Sequence, residues 1–279
     1  MKNLIKIICI ALISVMLLGL CSCKKAPESG YNDKLNNNSN SATSSGTVRL
    51  TFPEGYTVTQ IAIKLDENNV CSFDDFIAEA DNTEYLSDFG IEIADPAARS
   101  FLLEGYLFPD TYDFYIGESA SSVIKRFLRN FNSKITDEMK DRADELGYSI
   151  DEIITIASIV QEEAGKPSED KKVSSVIHNR LNSLTIRKLQ CDCCSFYLRD
   201  SVKPYVSEER YEELLQTYST YNCIGLPEGP ITNPGIDTIN AALYPADTDY
   251  FFFISNETDA YIYAHSWEEH SRNCVEAGL

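Results

Sequence analysis

Two adjacent acids, Glu162 and Glu163, close the stretch Ser149–Gly165, which reads S-I-D-E-I-I-T-I-A-S-I-V-Q-E-E-A-G. A carboxyl group kept neutral near pH 7 can protonate a leaving oxygen and then, ionised, take a proton back. The helical spacing separates the two acids. At 100° per residue, Ile150, Ile153, Ile154, Ala157, Val160 and Ala164 share one broad apolar face. A second apolar stripe runs through Ile156 and Ile159, and its next position is Glu163. Glu162 falls instead on a polar flank with Asp151, Thr155 and Ser158. A helix that is apolar on two sides is largely buried, so Glu163 leaves a low-dielectric wall that raises its pKa. Periodicity alone also fits a blander role for Glu163, a helix-end carboxylate paired with a base or hydrated.

The elements that must position this helix follow from local signals. Ser149 and Glu152 form a capping box, and Gly165 and Pro167 supply the stop. Upstream, Val48–Phe52 alternates like a strand and Pro53-Glu54-Gly55 turns the chain. Thr57 with Gln60, then Ser72 with Asp75, cap two short helices. A strand, a turn and two helices resemble a LysM-type glycan-binding module without an evident closing strand. A small packing subdomain explains them equally well. Leu103–Tyr112 (L-E-G-Y-L-F-P-D-T-Y) reads as a structured loop or edge. Helices are expected at Ser122–Phe131, Met139–Leu146, Ser168–Leu181, Ser207–Gln216 and Ile236–Leu243, with Thr185–Gln190 extended. Gly225–Gly235 is too rich in Gly and Pro to be regular, and such loops shape pockets. Tyr250–Ile254 and Tyr261–Tyr263 read as a hairpin, and Ser266 and Glu269 cap a last helix.

The first residues read as an address rather than a fold. Lys2 and Lys6 precede the apolar run Ile7–Leu20, which is short of the ~20 residues a bilayer span needs and suits a signal peptide. Leu20-Cys21-Ser22-Cys23 ends it in the manner of a bacterial lipoprotein signal, with Cys23 as the lipid-bearing residue. An uncleaved anchor is the alternative and leaves the chain on the same side of the membrane. Residues 26–46 are rich in Asn, Ser, Gly and Pro, the composition of a tether. The formal net charge of −19 repels nucleic acid, so none is expected as a partner. Past Cys23 stand Cys71, Cys191, Cys193, Cys194, Cys223 and Cys274, an even set that permits disulfides in an exported chain. Cys191-x-Cys193-Cys194 lacks the paired spacing of zinc sites, so no metal is expected.

From about Val48 onward the chain resembles the YceG-like endolytic murein transglycosylases. The likeness is densest at L-E-G-Y-L-F-P-D-T-Y, at I-A-S-I-V-Q-E-E, at His178–Leu181 and at Gly225–Gly235, and it continues through Ala242–Tyr250 to His270. The resemblance implies an α+β fold: a small LysM-like subdomain, then a mixed α/β catalytic domain around a central buried helix carrying the catalytic Glu. Its expected segments are a lipoprotein signal (1–23), a tether (24–47), the LysM-like subdomain (48–100) and the transglycosylase domain (101–279). It implies Glu163 as the catalytic acid, the residue the helical wheel selects. It also implies that Gln190, Asp192, Tyr218 and Tyr221 meet the saccharide, with no cofactor. The implied partners are peptidoglycan strands, the membrane through a lipid anchor, and cell-wall synthesis proteins, at the extracytoplasmic face of a bacterial membrane. The chain departs from the family pattern at Gln161, Cys191, Cys193, Cys194, Ser219 and Tyr261. Two rivals are a hydrolase pairing Glu163 with Asp192, and a glycan-binding or scaffold lipoprotein whose site has drifted.

Overall fold

The computed structural model describes residues 46–255 and 260–278. Cys23, the signal segment, all but the last residues of the tether and the tip of the C-terminal hairpin lie outside the described residues. Strand β1 (Thr47–Thr51) pairs antiparallel with β2 (Thr111–Tyr115), with Leu50 opposite Tyr112 and Arg49 opposite Asp113. The register sorts the two faces. Tyr112 and Phe114 turn inward onto Phe52 and Phe127, while Arg49 and Asp113 pair in solvent. This closing strand comes from beyond position 100, so the pairing crosses the expected domain boundary. Pro109 ahead of it and the shortness of the run hide its alternation in the sequence.

Three helices fill the span between the strands: α1 (Val58–Glu67), α2 (Phe73–Ala80) and α3 (Glu84–Phe89). The Thr57–Gln60 capping box starts α1, and the Ser72 side chain caps α2. Helices α4 (Ala120–Lys134) and α5 (Asp137–Leu146) follow, the latter ended by Gly147 in the left-handed region. Helix α6 (Ile150–Glu163) is the centre of the fold and begins with both halves of the Ser149–Glu152 box in place. Every residue from Ile153 to Val160 is buried. Thr155 and Ser158 are among them, so the supposed polar flank is covered rather than wet. Its cover is the Gly/Pro-rich loop: the Ile231 N–H donates to Ser158 Oγ at 3.1 Å.

Helix α7 (Asp170–Leu181) packs beside α6, and α10 (Ile236–Leu243) covers it further. The cysteine cluster, for which the sequence carries no secondary-structure signal, forms helix α8 (Asp192–Tyr197), followed by a π-helical turn at Leu198–Val202. Helix α9 (Glu208–Tyr218) precedes the Gly/Pro loop. Strands β3 (Phe252–Ser255) and β4 (Tyr261–Ala264) pair antiparallel, and α11 (Trp267–Ala277) ends the described chain. The fold is α+β, helix-dominated, with two separate two-stranded sheets among the described residues. No helix among them is long and apolar enough to cross a membrane.

Candidate active site

Glu163 is the last residue of α6, half-buried at the floor of a cleft of about 430 Å3. Burial of its carboxyl group raises its pKa, and the nearby Asp192 adds to the rise. The thiol and backbone N–H of Cys193 hydrogen-bond the carboxyl, and these, with the more distant Arg180 charge, pull the other way without reversing the shift. Its position at the negative end of the helix dipole also disfavours the anion. The helix end is held by Tyr261, one of the positions where the chain departs from the family pattern. Its hydroxyl donates to the Glu163 carbonyl at 2.7 Å and accepts from the Gly165 N–H at 2.7 Å.

Glu162 lines the same cleft, which corrects the expectation that it points away. The reason is the covered flank, since the loop that packs on Ser158 carries Thr232 to the Glu162 side chain. Burial raises the Glu162 pKa as well, and repulsion from Glu163 adds to it, although the residue as a whole is more exposed than Glu163. Its Oε1 lies against Gly55, where an added Cβ would sit 2.9 Å away, and Gly55 has φ +82°. Gln161, the neighbouring departure from the family pattern, serves as an acceptor. Its Oε1 takes the Gly235 N–H and the Thr238 hydroxyl, both at 3.0 Å, fixing the start of α10.

The other expected site residues divide. Asp192, at the first turn of α8, lines the cleft with Glu163, and the Tyr221 hydroxyl donates to its Oδ1 at 2.8 Å. Gln190 is exposed on the preceding loop with φ +51° and is not among the residues lining this cleft. The loop is braced from both sides. Thr220 Oγ1 accepts from the Cys191 N–H at 2.9 Å, and the buried Arg180 guanidinium donates to the carbonyls of Leu189 and Phe251. Tyr218 does not meet the groove. It is fully buried, with its hydroxyl accepting the Ser100 N–H at 3.1 Å, so it supports the wall from behind. The motif placed it near the site, but motif proximity does not fix which way a helix-end side chain points.

Several cleft residues escaped the sequence reading. Gly55, Thr57 and Gln60 form an N-terminal lip, and Phe196 and Tyr197 form part of the opposite wall. Glu104, inside L-E-G-Y, is fully buried behind them. Its signal was a lone acid among apolar neighbours. The six described cysteines are free thiols, and hydrogen bonding to Cys191 and Cys194, together with burial, holds the Cys193 thiol well above its ordinary pKa.

A half-buried acid at a helix end lies in a cleft between a βα lip and a short helix. Residues 26–276 match the YceG-like family, and the chain belongs to it. It is 30% identical over 232 residues to a Bacillus subtilis protein named endolytic murein transglycosylase, covering 80% of this chain and 63% of that one. A Streptococcus pneumoniae protein of the same name is 27% identical over 247 residues, covering 81% of this chain and 44% of that one. The chain thus spans about half to two thirds of the length of these relatives. A crystal structure of a yceG-like protein from Listeria monocytogenes superposes with a TM-score of 0.68 at 29% identity, covering 81% of this chain and 75% of that one.

Proposed function

We propose that the chain is an endolytic peptidoglycan lytic transglycosylase with Glu163 as its single acid and base. The observation that carries this reading is the half-buried Glu163 carboxyl, with its raised pKa, facing an open cleft. In the neutral form it protonates the oxygen joining MurNAc C1 to the next GlcNAc, and that C1–O bond breaks. The resulting carboxylate takes the proton from the MurNAc C6 hydroxyl as its oxygen bonds to C1. No water enters, and the product ends in 1,6-anhydroMurNAc. The positive charge developing on the ring is met by Asp192 in the same cleft, while Glu162 lines the bound strand. Phe196, half exposed on the wall, offers a face for a sugar ring. Gln190 binds the strand outside the cleft lined by Glu163, and Tyr221 acts through Asp192.

Asp192 in the same cleft is the feature that keeps hydrolysis as a second reading, since paired carboxyls support it. Product mass separates the two. Purified peptidoglycan treated with the full chain is expected to yield fragments one water lighter than hydrolysis products, and fragments carrying that water would establish a hydrolase.

The topology proposal rests on the sequence. Cys23 carries the lipid, residues 24–47 tether the enzyme to the extracytoplasmic face, and the segment from 48 contributes a LysM-like lip to the glycan site. The β1–β2 pairing around α1 and α2 supports the last point. Cys23→Ala is expected to free the protein from membranes or leave its signal uncleaved, and unchanged size and partition would refute lipidation.

A further inference from the structure

The L-E-G-Y motif puts a carboxylate where proteins seldom place one. Glu104 has no exposed surface, and none of the proposed chemistry uses it. Its surroundings are three chain segments, the lip, the wall and the Gly/Pro loop, each of which gives it a hydrogen bond. From the lip, the Val58 N–H at the start of α1 donates to Glu104 Oε1 at 3.0 Å and to Oε2 at 3.2 Å. From the wall, the Tyr197 hydroxyl meets Oε2 at 3.1 Å. From the Gly/Pro loop, Asn233 Nδ2 donates to Oε1 at 3.0 Å.

The amide orientation of Asn233 is settled by its other bonds. Its Oδ1 accepts the Leu107 N–H at 2.8 Å, and its Nδ2 also donates to the Tyr56 carbonyl at 2.8 Å. The backbone repeats the tie, because the Gly55 N–H donates to the Asn233 carbonyl and the Asn233 N–H to the Tyr56 carbonyl, both at 2.9 Å. Thr57 and Tyr197 line the cleft themselves, and Asn233 follows Thr232, which also lines it. A buried acceptor left without donors, or donors left without it, carries the full desolvation penalty uncompensated, so losing Glu104 leaves several buried groups unpaired at once.

We propose that Glu104 is a positioning residue for the glycan cleft, pinning the Gly55–Gln60 lip, the Tyr197 wall and the 231–235 loop to one another. It touches no substrate. It acts through Thr57, Tyr197 and Thr232, which set the width of the cleft over Glu163. Burial pushes the Glu104 carboxyl up to about 8, with the Glu162 charge adding to the rise and its donors opposing it. The Tyr197 hydroxyl, which donates to Oε2, also pairs with Ser100 Oγ at 2.7 Å. Glutamine keeps an oxygen for Val58 and Asn233, and offers Tyr197 an N–H once that hydroxyl turns to donate to Ser100 Oγ.

The inference rests on the reading of the cleft as a glycan site, so the test has one arm that does not depend on it. In the full chain, amide hydrogen exchange over residues 53–60 is expected to speed up at least tenfold in Glu104→Ala and to return towards wild type in Glu104→Gln. Below the melting temperature of each variant, KM for purified peptidoglycan is expected to rise several-fold in Glu104→Ala with a smaller fall in kcat, and Gln is expected to recover most of the loss. Tyr197→Phe removes one bond while keeping the ring, and gives an intermediate effect should the Ala variant fail to fold. Unchanged lip exchange, or wild-type KM in folded Glu104→Ala with only a lower melting temperature, would overturn the proposal. A wild-type chain that neither binds nor cuts peptidoglycan would overturn the glycan reading instead, leaving the exchange result to decide the pin.

Discussion

At the scale of single residues, the chemistry depends on how Cys193 and Glu163 share a proton environment. The Cys193 thiol donates to the Glu163 carboxyl and favours its charged form. Cys193→Ala removes that donor, so the Glu163 pKa is expected to rise further. A general acid works only while protonated, so activity declines as pH rises through that pKa. The alkaline limb of the rate profile is therefore expected to move to higher pH in Cys193→Ala, and a limb at unchanged or lower pH would remove Cys193 from this role. The half-buried placement of Glu163 was legible in the sequence, because two apolar stripes at helical spacing leave few directions for the next side chain. Glu162 was not, since its flank is polar and only the loop at 231–235, more than sixty positions away, turns that flank into buried surface. Tyr218 misled for a related reason: its type suited a sugar, but its ring faces Tyr197 in the interior.

At the scale of elements, caps and stripes carried most of the information. The boxes at Thr57 and Ser149 form as written, and α4, α5, α7 and α10 appear within a few residues of their expected spans. The elements that escaped are those made by distant partners. Strand β2 exists because β1 pairs with it, and α8 forms where thiols replace any helical pattern. The pin behind them makes a stability prediction. Glu104 has an ordinary value of 4.5 and a folded value of about 8, so the unfolded chain binds fewer protons across that window. Stability contributed by this group is thus full below the unfolded value and lost as pH rises towards 8. Glutamine does not titrate. The melting temperature of Glu104→Gln relative to wild type is expected to climb between pH 5 and pH 8, whereas a flat difference would mean that Glu104 ionises normally in the fold.

At the scale of the molecule, the cleft belongs to neither half of the described chain alone. The lip comes from the segment around α1, the acid from α6, and the facing wall from α8. A net charge of −19 disfavours polyanions as occupants. The central claim is that one carboxyl, Glu163, performs both proton transfers. The most direct measurement compares wild type, Glu163→Gln and Glu162→Gln on purified peptidoglycan, following both strand binding and release of 1,6-anhydroMurNAc ends. Glu163→Gln keeps the shape of the side chain and removes the proton. Cleavage is expected to fall by at least a hundredfold while binding persists, in line with the ~10²–10⁴-fold that a positioned acid supplies. Glu162→Gln is expected to retain cleavage with weaker binding. Anhydro ends released at the wild-type rate by Glu163→Gln, or lost only in Glu162→Gln, would contradict the assignment.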